Sequence, residues 1–393
     1  IGDFLGEYPH KKLLIDEVSQ AKNPIYGLNQ LPNFIRPFPD VFEWDLTMLK
    51  AVTKKYIDNT LLLDKRKDYW LTDGLQTYLM MNYVAQYYPE IKLAGNISKI
   101  WGFRNFNFSK LKFNDKYPFV YQYTARQFLD QALNTRSDSL SNFNRKIAGK
   151  YKAGLGLRYL ADYIGDTIIS SSFKEFYKKN KLNFAKSESF KKIVSKKTSK
   201  DINWFFDEYL TTDKKIDYTI KKAVVLNDSV YVTIKNKRNI TAPVALYGLK
   251  NKQVKFKKWL TNIDSTTTVA IPKNGFDRVS LNFENSYPEF NSMDNWKKVG
   301  KNILNKPIQF KLYKDINDPY YHQIYLQPNI KYNYYDGALL GLRIHNKPIL
   351  SRNFQFSITP QYGTKSNSLN GIFNTRYIQY FENSRINRIF YSI

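Results

Sequence analysis

Trp70-Leu71-Thr72-Asp73-Gly74-Leu75-Gln76-Thr77-Tyr78-Leu79 is the stretch on which the reading of this chain turns. Leu75, Tyr78, Leu79 and, further on, Val84 recur at helical spacing, which predicts a helix over 69–88 with one apolar face. Upstream, Leu46, Leu49, Val52, Thr53 and Tyr56 fall on one arc of another helix, predicted to start after Asp45 as its N-cap. Lys50 and Lys54 sit one turn apart at the edge of that arc. Residues 1–45 carry Pro9, Pro24, Pro32, Pro37 and Pro39 and read as irregular. Downstream, helices are predicted at 124–135, 148–164, 167–180 and 187–196, the series ending near Leu210.

Character changes near 215. Strands are predicted at 218–226, 230–234, 244–249, 253–260, 265–271 and 277–283, with a turn at Asn227-Asp228-Ser229, and together they read as a β-sandwich. Residues 286–306 are polar and read as a linker. From 307 the pattern is dyadic. Ile324, Leu326, Pro328, Ile330, Tyr332 and Tyr334 fall on one side, opposite Gln323, Tyr325, Gln327, Asn329, Lys331 and Asn333. After a turn at Tyr335-Asp336-Gly337 the alternation returns in 340–345 and 354–362. Segments of about ten residues with one polar face are the mark of a transmembrane β-barrel. A one-sided antiparallel sheet in an accessory domain is the other reading. The strands are too few to close a barrel, for which about eight are needed, so the sequence is expected to stop part-way through one.

Composition narrows the chemistry. The 393 residues include 42% hydrophobic and 16% aromatic residues, enough for sizeable cores, which excludes wholesale disorder. There is no cysteine, so disulfides, thiolate metal sites and cysteine nucleophiles are excluded. The three histidines, His10, His322 and His345, have no metal-ligand spacing. A net charge of +27 favours anionic partners, or marks a surface that is simply lysine-rich. Ten Lys and two Glu occupy 174–200, while Phe173, Phe176, Tyr177, Phe184, Phe190, Ile193 and Val194 keep an apolar face. That pattern reads as a solvated helical face, and no specific nucleic-acid partner is expected. The chain begins at Ile1 without an apolar leader or a helical span, and is expected to be a piece of something longer.

The segment from Trp70 resembles the W-L-N-E-G-[FI]-x-x-Y element of the gluzincin zinc aminopeptidases, the aminopeptidase N family. The family's Glu there is the third zinc ligand, and eighteen residues separate it from an upstream HExxH. Counting back from Asp73 across 55–72 brings Lys50-Ala51-Val52-Thr53-Lys54 onto those five positions. The resemblance thus puts Lys50 and Lys54 at the two His ligands, Ala51 at the general-base Glu and Asp73 at the third ligand. Lys55-Tyr56-Ile57-Asp58-Asn59 continues like the family's HQYFYN. Gly27-Leu28-Asn29-Gln30-Leu31 falls where the family has its G-x-M-E-N strand, so Gln30 replaces the carboxylate that holds the substrate amine. Tyr151-Lys152-Ala153-Gly154 resembles Y-E-K-G, whose Tyr stabilises the tetrahedral intermediate. Asp201-Ile202-Asn203-Trp204-Phe205-Phe206-Asp207-Glu208-Tyr209-Leu210 resembles the end of the family's catalytic domain, and 217–285 its following β-sandwich.

The resemblance covers roughly residues 1–290 and implies a mostly helical, thermolysin-like half over 1–215 and a β-sandwich over 216–285. With the linker 286–306 and the antiparallel, barrel-like segment over 307–393 read from the residue pattern, the expectation is an α+β multidomain chain. A protonated Lys has no lone pair for a metal and Ala51 has no proton chemistry, so no cofactor is expected, zinc being the one implied if the site is intact after all. Asp73 is expected to pair with Lys50 or Lys54 in place of the metal. Gly27, Gln30, Asp73 and Tyr151 remain as candidate binding residues. The leading reading is a degenerate aminopeptidase-like protein of a Gram-negative cell envelope, in the outer membrane or periplasm. Its cleft binds a peptide or protein, and its C-terminal strands meet outer-membrane lipid. The alternatives are an active metallo-aminopeptidase, and a basic module binding nucleic acid or anionic lipid.

Overall fold

The computed structural model describes residues 1–393 except 29, 33–35, 239, 301–304 and 382–383. Among the described residues the helices are α1 Gly2–Leu5, α2 Glu17–Lys22, α3 Asp40–Asp58, α4 Tyr69–Tyr87, α5 Lys116–Arg126, α6 Gly149–Ile164, α7 Asp166–Asn180 and α8 Ser187–Lys197. Two-residue strands β1 Leu62–Leu63 and β2 Phe184–Ala185 pair in parallel between them. The chain is a mixed α+β structure.

Helix α3 starts at Asp40, five residues ahead of the expected N-cap. Pro39 caps it with extended backbone, and Asp40 and Glu43 sit in the first turn, where the helix dipole favours acids. Asp45 instead accepts hydrogen bonds from the hydroxyls of Tyr83 at 2.9 Å and Tyr88 at 2.5 Å. Helix α5 lies earlier than the predicted 124–135. Pro118 is tolerated in its first turn, and Phe128 at a φ of 54° ends the run. Helices α7 and α8 turn Phe173, Phe176, Tyr177, Phe190, Ile193 and Val194 inward and their lysines outward. Phe184 departs from that face and is exposed.

The core of the helical part is the crossing of α4 and α6. A Cβ on Gly74 would lie 3.0 Å from the Ala153 Cβ, and one on Gly154 would lie 2.6 Å from the Thr77 Cβ. Only glycine at both positions lets the two backbones approach this closely. Trp70, Leu71 and Tyr78 are buried beside the crossing. Trp70 meets Phe205 edge-on, and Trp204 packs against Tyr159 of α6 at 4.4 Å between ring centroids. The aromatic run of 204–209, a π-helical turn, therefore closes over α6.

Two facing sheets follow. One has the order β3-β4-β7 and the other β6-β5-β8-β9. Their strands are β3 Tyr218–Leu226, β4 Ser229–Asn236, β5 Val244–Lys250, β6 Gln253–Leu260, β7 Thr266–Pro272, β8 Arg278–Leu281 and β9 Trp296–Lys298. Alternate residues Val230, Val232 and Ile234 of β4 are buried, as a half-covered strand requires. The stretch 286–306, expected to be a linker, is built into this unit. Tyr287, Glu289 and Asn295 are buried, Glu289 bonds to Asn295 at 2.6 Å, and β9 pairs with β8. Of that stretch, 301–304 lie outside the described residues.

The last sheet has six strands in chain order: β10 Ile308–Leu312, β11 His322–Asn333, β12 Gly337–His345, β13 Phe354–Gly363, β14 Ser368–Tyr380 and β15 Arg388–Ser392. It is open; none of the described sheets closes into a barrel. Its pairs are antiparallel except the first, β10 with β11, which is parallel and departs from the expected all-antiparallel segment. The connection between those strands leaves the sheet to dock on the helical part before returning. There the buried Asp315 accepts from the backbone N–H of Asn107 at 2.6 Å and of Phe108 at 3.2 Å. Burial in this sheet is inverted. On one face Ile330, Leu340, Tyr362 and Leu369 stand in a paired, exposed row. On the other Gln355, Ser357, Thr359 and Gln361 are buried. No described helix is long and apolar enough to cross a membrane.

The α4–α6 crossing generates a first prediction. Gly154→Ala should destabilise the protein by about 1–3 kcal/mol in chemical denaturation, despite alanine's better helix propensity, because its Cβ overlaps Thr77. Adding Thr77→Ala should recover most of the loss, and Gly102→Ala, with open space around it, should be near neutral.

Candidate functional site

Gln76 of α4 donates to the backbone carbonyl of Lys50 at 2.7 Å and so ties α4 to α3 in register. The site is assembled around that tie. Lys50 is buried, and its amine donates to Asn23 O at 2.6 Å, Asn23 Oδ1 at 3.2 Å and Pro24 O at 2.9 Å. Burial above all, then the charge of Lys150, pushes its pKa down to about 7, with Asp73 pulling the other way. Ala51 is buried. Lys54, one turn on, faces outward and pairs with Asp58 at 2.7 Å.

Asp73 takes neither of the expected partners. Its carboxylate lies 3.5 Å from the ammonium of Lys150, the residue just before Tyr151 on α6. The reason is geometric. Loop carbonyls at 23–24 draw Lys50 away, Asp58 captures Lys54 four residues along its own helix, and the tight α4–α6 crossing delivers Lys150 instead. The structure thus gathers Lys50, Asp73 and Lys150, and leaves Lys54 at the rim.

Gly27 and Gln30 belong to a turn and not to a strand. Gln30 Oε1 accepts from the N–H of Gly27 at 2.6 Å and of Leu28 at 3.1 Å, while its Nε2 donates to Ile25 O at 2.9 Å. Gly27 holds a φ of 78°, which favours glycine. Asn29, in the middle of the matched stretch, lies outside the described residues.

Gly27 and Tyr151 meet again at the wall of a cavity of about 660 Å³. Its lining is dominated by apolar groups, among them Phe103, Phe119, Val120 and Phe143. Tyr151 stands edge-on to Tyr117 with centroids 4.7 Å apart, and burial pushes its hydroxyl up to about 12. The Asp315 connection from the last sheet, with Ile349, completes the lining.

Lys116, the first residue of α5, also lines the cavity. Its amine is buried without a hydrogen-bond partner and sits 3.7 Å from the centroid of the Phe113 ring. Burial first, then the charge of Lys50, pushes it down to about 7. Lys116 and Lys150 are the site residues that the sequence reading missed. Lys150 was within reach, since it adjoins Tyr151 in the matched motif. Nothing in Asn114-Asp115-Lys116-Tyr117 marks Lys116 as buried. Among the described residues no three His, Asp or Glu side chains gather as a metal-binding group.

No protein-family pattern matches the chain, and no curated protein matches it in sequence. Among solved structures it overlays in part on the aminopeptidase A of Legionella pneumophila, crystallised in complex with aspartic acid. The overlay has a TM-score of 0.45 and 15% sequence identity, and covers 64% of this chain but 27% of that one. At that score the overlay carries no weight for fold or function, and the case rests on the residues themselves.

Lys116 sets the pH dependence. A lysine whose folded pKa lies below its unfolded value gives full stability above about 10.4 and loses it as pH falls through the folded value. The protein should therefore gain stability from pH 7 to 9, by about 2 kcal/mol for one such group. In Lys116→Met the gain should shrink by that amount, with the variant the more stable at pH 7. Equal slopes for both proteins in urea denaturation would contradict the burial of a neutral amine.

Proposed function

We propose that this chain is a binding protein on an aminopeptidase-like scaffold, with the hydrolytic centre dismantled and the cleft turned to capture of an apolar peptide or protein segment. The observation that carries the reading is the state of the residues at the zinc-site positions. A gluzincin centre needs two neutral imidazoles, a carboxylate and a carboxylate base. Here Lys50 spends its protons on backbone carbonyls, Ala51 has no base, Lys54 is turned to solvent and Asp73 is matched by Lys150. That donor set does not fit zinc.

What supports binding is the cavity beside that centre. Its aromatic and aliphatic walls suit bulky apolar side chains. Its one buried amine, on Lys116, is placed to meet a carbonyl or carboxylate of the bound segment. Gln30, being uncharged and engaged in its own turn, offers no anion to a free N-terminal amine.

The envelope reading rests on the last sheet. A sheet in water buries its apolar face; this one exposes Ile330, Leu340, Phe354, Ile358, Tyr362 and Phe373 and buries glutamines and hydroxyls. We therefore assign 307–393 to a lipid-facing sheet, part of a β-barrel in the outer membrane of a Gram-negative bacterium, behind the segments 1–215 and 216–285. In that setting lipid covers the apolar row and the polar row lines the lumen.

Two measurements test these assignments. Aminoacyl reporter substrates should stay intact with or without added zinc. A short Leu/Phe peptide with a free carboxylate should bind in calorimetry and lose at least about tenfold in affinity on Val120→Arg. Chelator-sensitive turnover would overturn the reading.

For the sheet, Leu342→Arg should impair membrane insertion by about 2–4 kcal/mol near the bilayer midplane, and Gln327→Arg far less. Recovery of the protein in the soluble fraction without detergent, with both substitutions equally tolerated, would refute the barrel.

A further inference from the structure

A second cavity, of about 530 Å³, lies where the three parts of the chain meet. Helix α5 contributes Arg126, the first facing sheet and its flanks contribute Asp217, Lys237 and Arg238, and the last sheet and its approach contribute Lys306 and Arg352. Five cationic side chains thus face one lining carboxylate, with Asp294 behind Lys237 at 3.1 Å. Nothing in the reading of the cleft uses this place.

The distribution of partners is uneven. Lys237 and Arg238 share Asp217, at 3.4 Å and 3.5 Å. Arg126, Lys306 and Arg352 have no carboxylate within ion-pair distance among the described residues. Arg126 donates to Phe290 O at 3.1 Å and Asn291 Oδ1 at 3.3 Å, Lys306 to Met293 O, and Arg352 to Asn317 Oδ1 at 3.3 Å. Each is held in place by a neutral acceptor and makes no direct ion pair among the described residues. Two other buried lysines are paired: Lys152 and Lys215 flank Asp130 at 3.2 Å and 3.0 Å. Burial together with the neighbouring cations lowers His322 at the same wall, as an excess of positive charge requires.

We propose that this junction cavity binds a compact anion bearing two or more phosphate groups. Arginine forks match phosphate oxygens in pairs, and three arginines converge here. Arg238 is itself stacked over the Phe290 ring at 4.1 Å, which fixes the plane of its fork. Asp217 and Asp294 together cannot neutralise five cations, so a monoanion would leave the site charged. The phosphates belong either to a soluble molecule or to a lipid headgroup presented to the last sheet.

The test uses the full chain and sodium tripolyphosphate in calorimetry. Binding at one equivalent is expected, weakened at least about tenfold by Arg352→Gln and, independently, by Arg126→Gln. Lys178→Gln with Lys192→Gln, which removes two charges from the α7–α8 surface, should change it little. Thermal melts of each variant separate loss of binding from loss of fold. Cardiolipin vesicles, whose headgroup carries two phosphates, supply the second arm. Vesicle binding displaced by tripolyphosphate assigns the site to a headgroup, and tripolyphosphate binding without vesicle binding assigns it to a soluble ligand. Absence of binding, or equal weakening by the junction and the surface variants, would overturn the proposal and reduce the effect to diffuse surface charge.

Discussion

The crossing of α4 and α6 is the constraint on which the rest depends. Gly74 against Ala153, and Gly154 against Thr77, bring two backbones closer than side chains would allow. That approach places Asp73 opposite Lys150 and sets Tyr151 at the cavity wall, because all are carried on those two helices. The Gln76 bond to the Lys50 carbonyl then fixes α3 against the pair. A scaffold so constrained can keep its geometry while its chemistry is exchanged. Here the small residues Gly74, Ala153 and Gly154 hold the two helices together.

Charge inside this scaffold is handled in two ways. Where a carboxylate is near, lysines pair, as Lys150 does with Asp73 and Lys152 with Asp130. Burial lowers the amine even there, at Lys152, and also where no ion pair forms. Lys50 and Lys116 are both pushed to about 7. A buried ammonium without a partner is expensive, and deprotonation is the cheaper outcome. Both cavities hold a lowered amine, Lys116 in the apolar one and Lys306, pushed down to about 8 by burial, in the junction one, but the junction adds three arginines that stay charged.

Much of the fold was legible in the sequence, for reasons that can be named. Helix α4 was written in the helical spacing of Leu75, Tyr78, Leu79 and Val84, and strands such as β4 in an alternation of period 2. The start of α3 was not, because Pro39 looks like a breaker but here caps the helix. The parallel β10–β11 pair was hidden because its cause is tertiary: Asp315 must reach the backbone at 107–108 before the chain can return. At the candidate site, register placed Lys50, Ala51, Lys54 and Asp73 on facing helices. Register could not say which lysine Asp73 would meet. That choice was made by Asn23 and Pro24 on one side and by Asp58 on the other. Lys116 was invisible, since burial of a lysine is decided by what packs over it.

Lys50, Lys54 and Asp73 are held by bonds within the protein, and the function proposed above requires that they bind no metal. Lys50 is the critical residue, because above a pKa of about 7 its amine regains a lone pair. The most direct measurement is anomalous diffraction at the zinc edge from crystals soaked in zinc at pH 8.5. The account predicts no zinc peak between α3 and α4, with Lys50 still on the carbonyls of Asn23 and Pro24 and Asp73 still on Lys150. A fully occupied peak within bonding distance of Lys50 and Asp73 would contradict it.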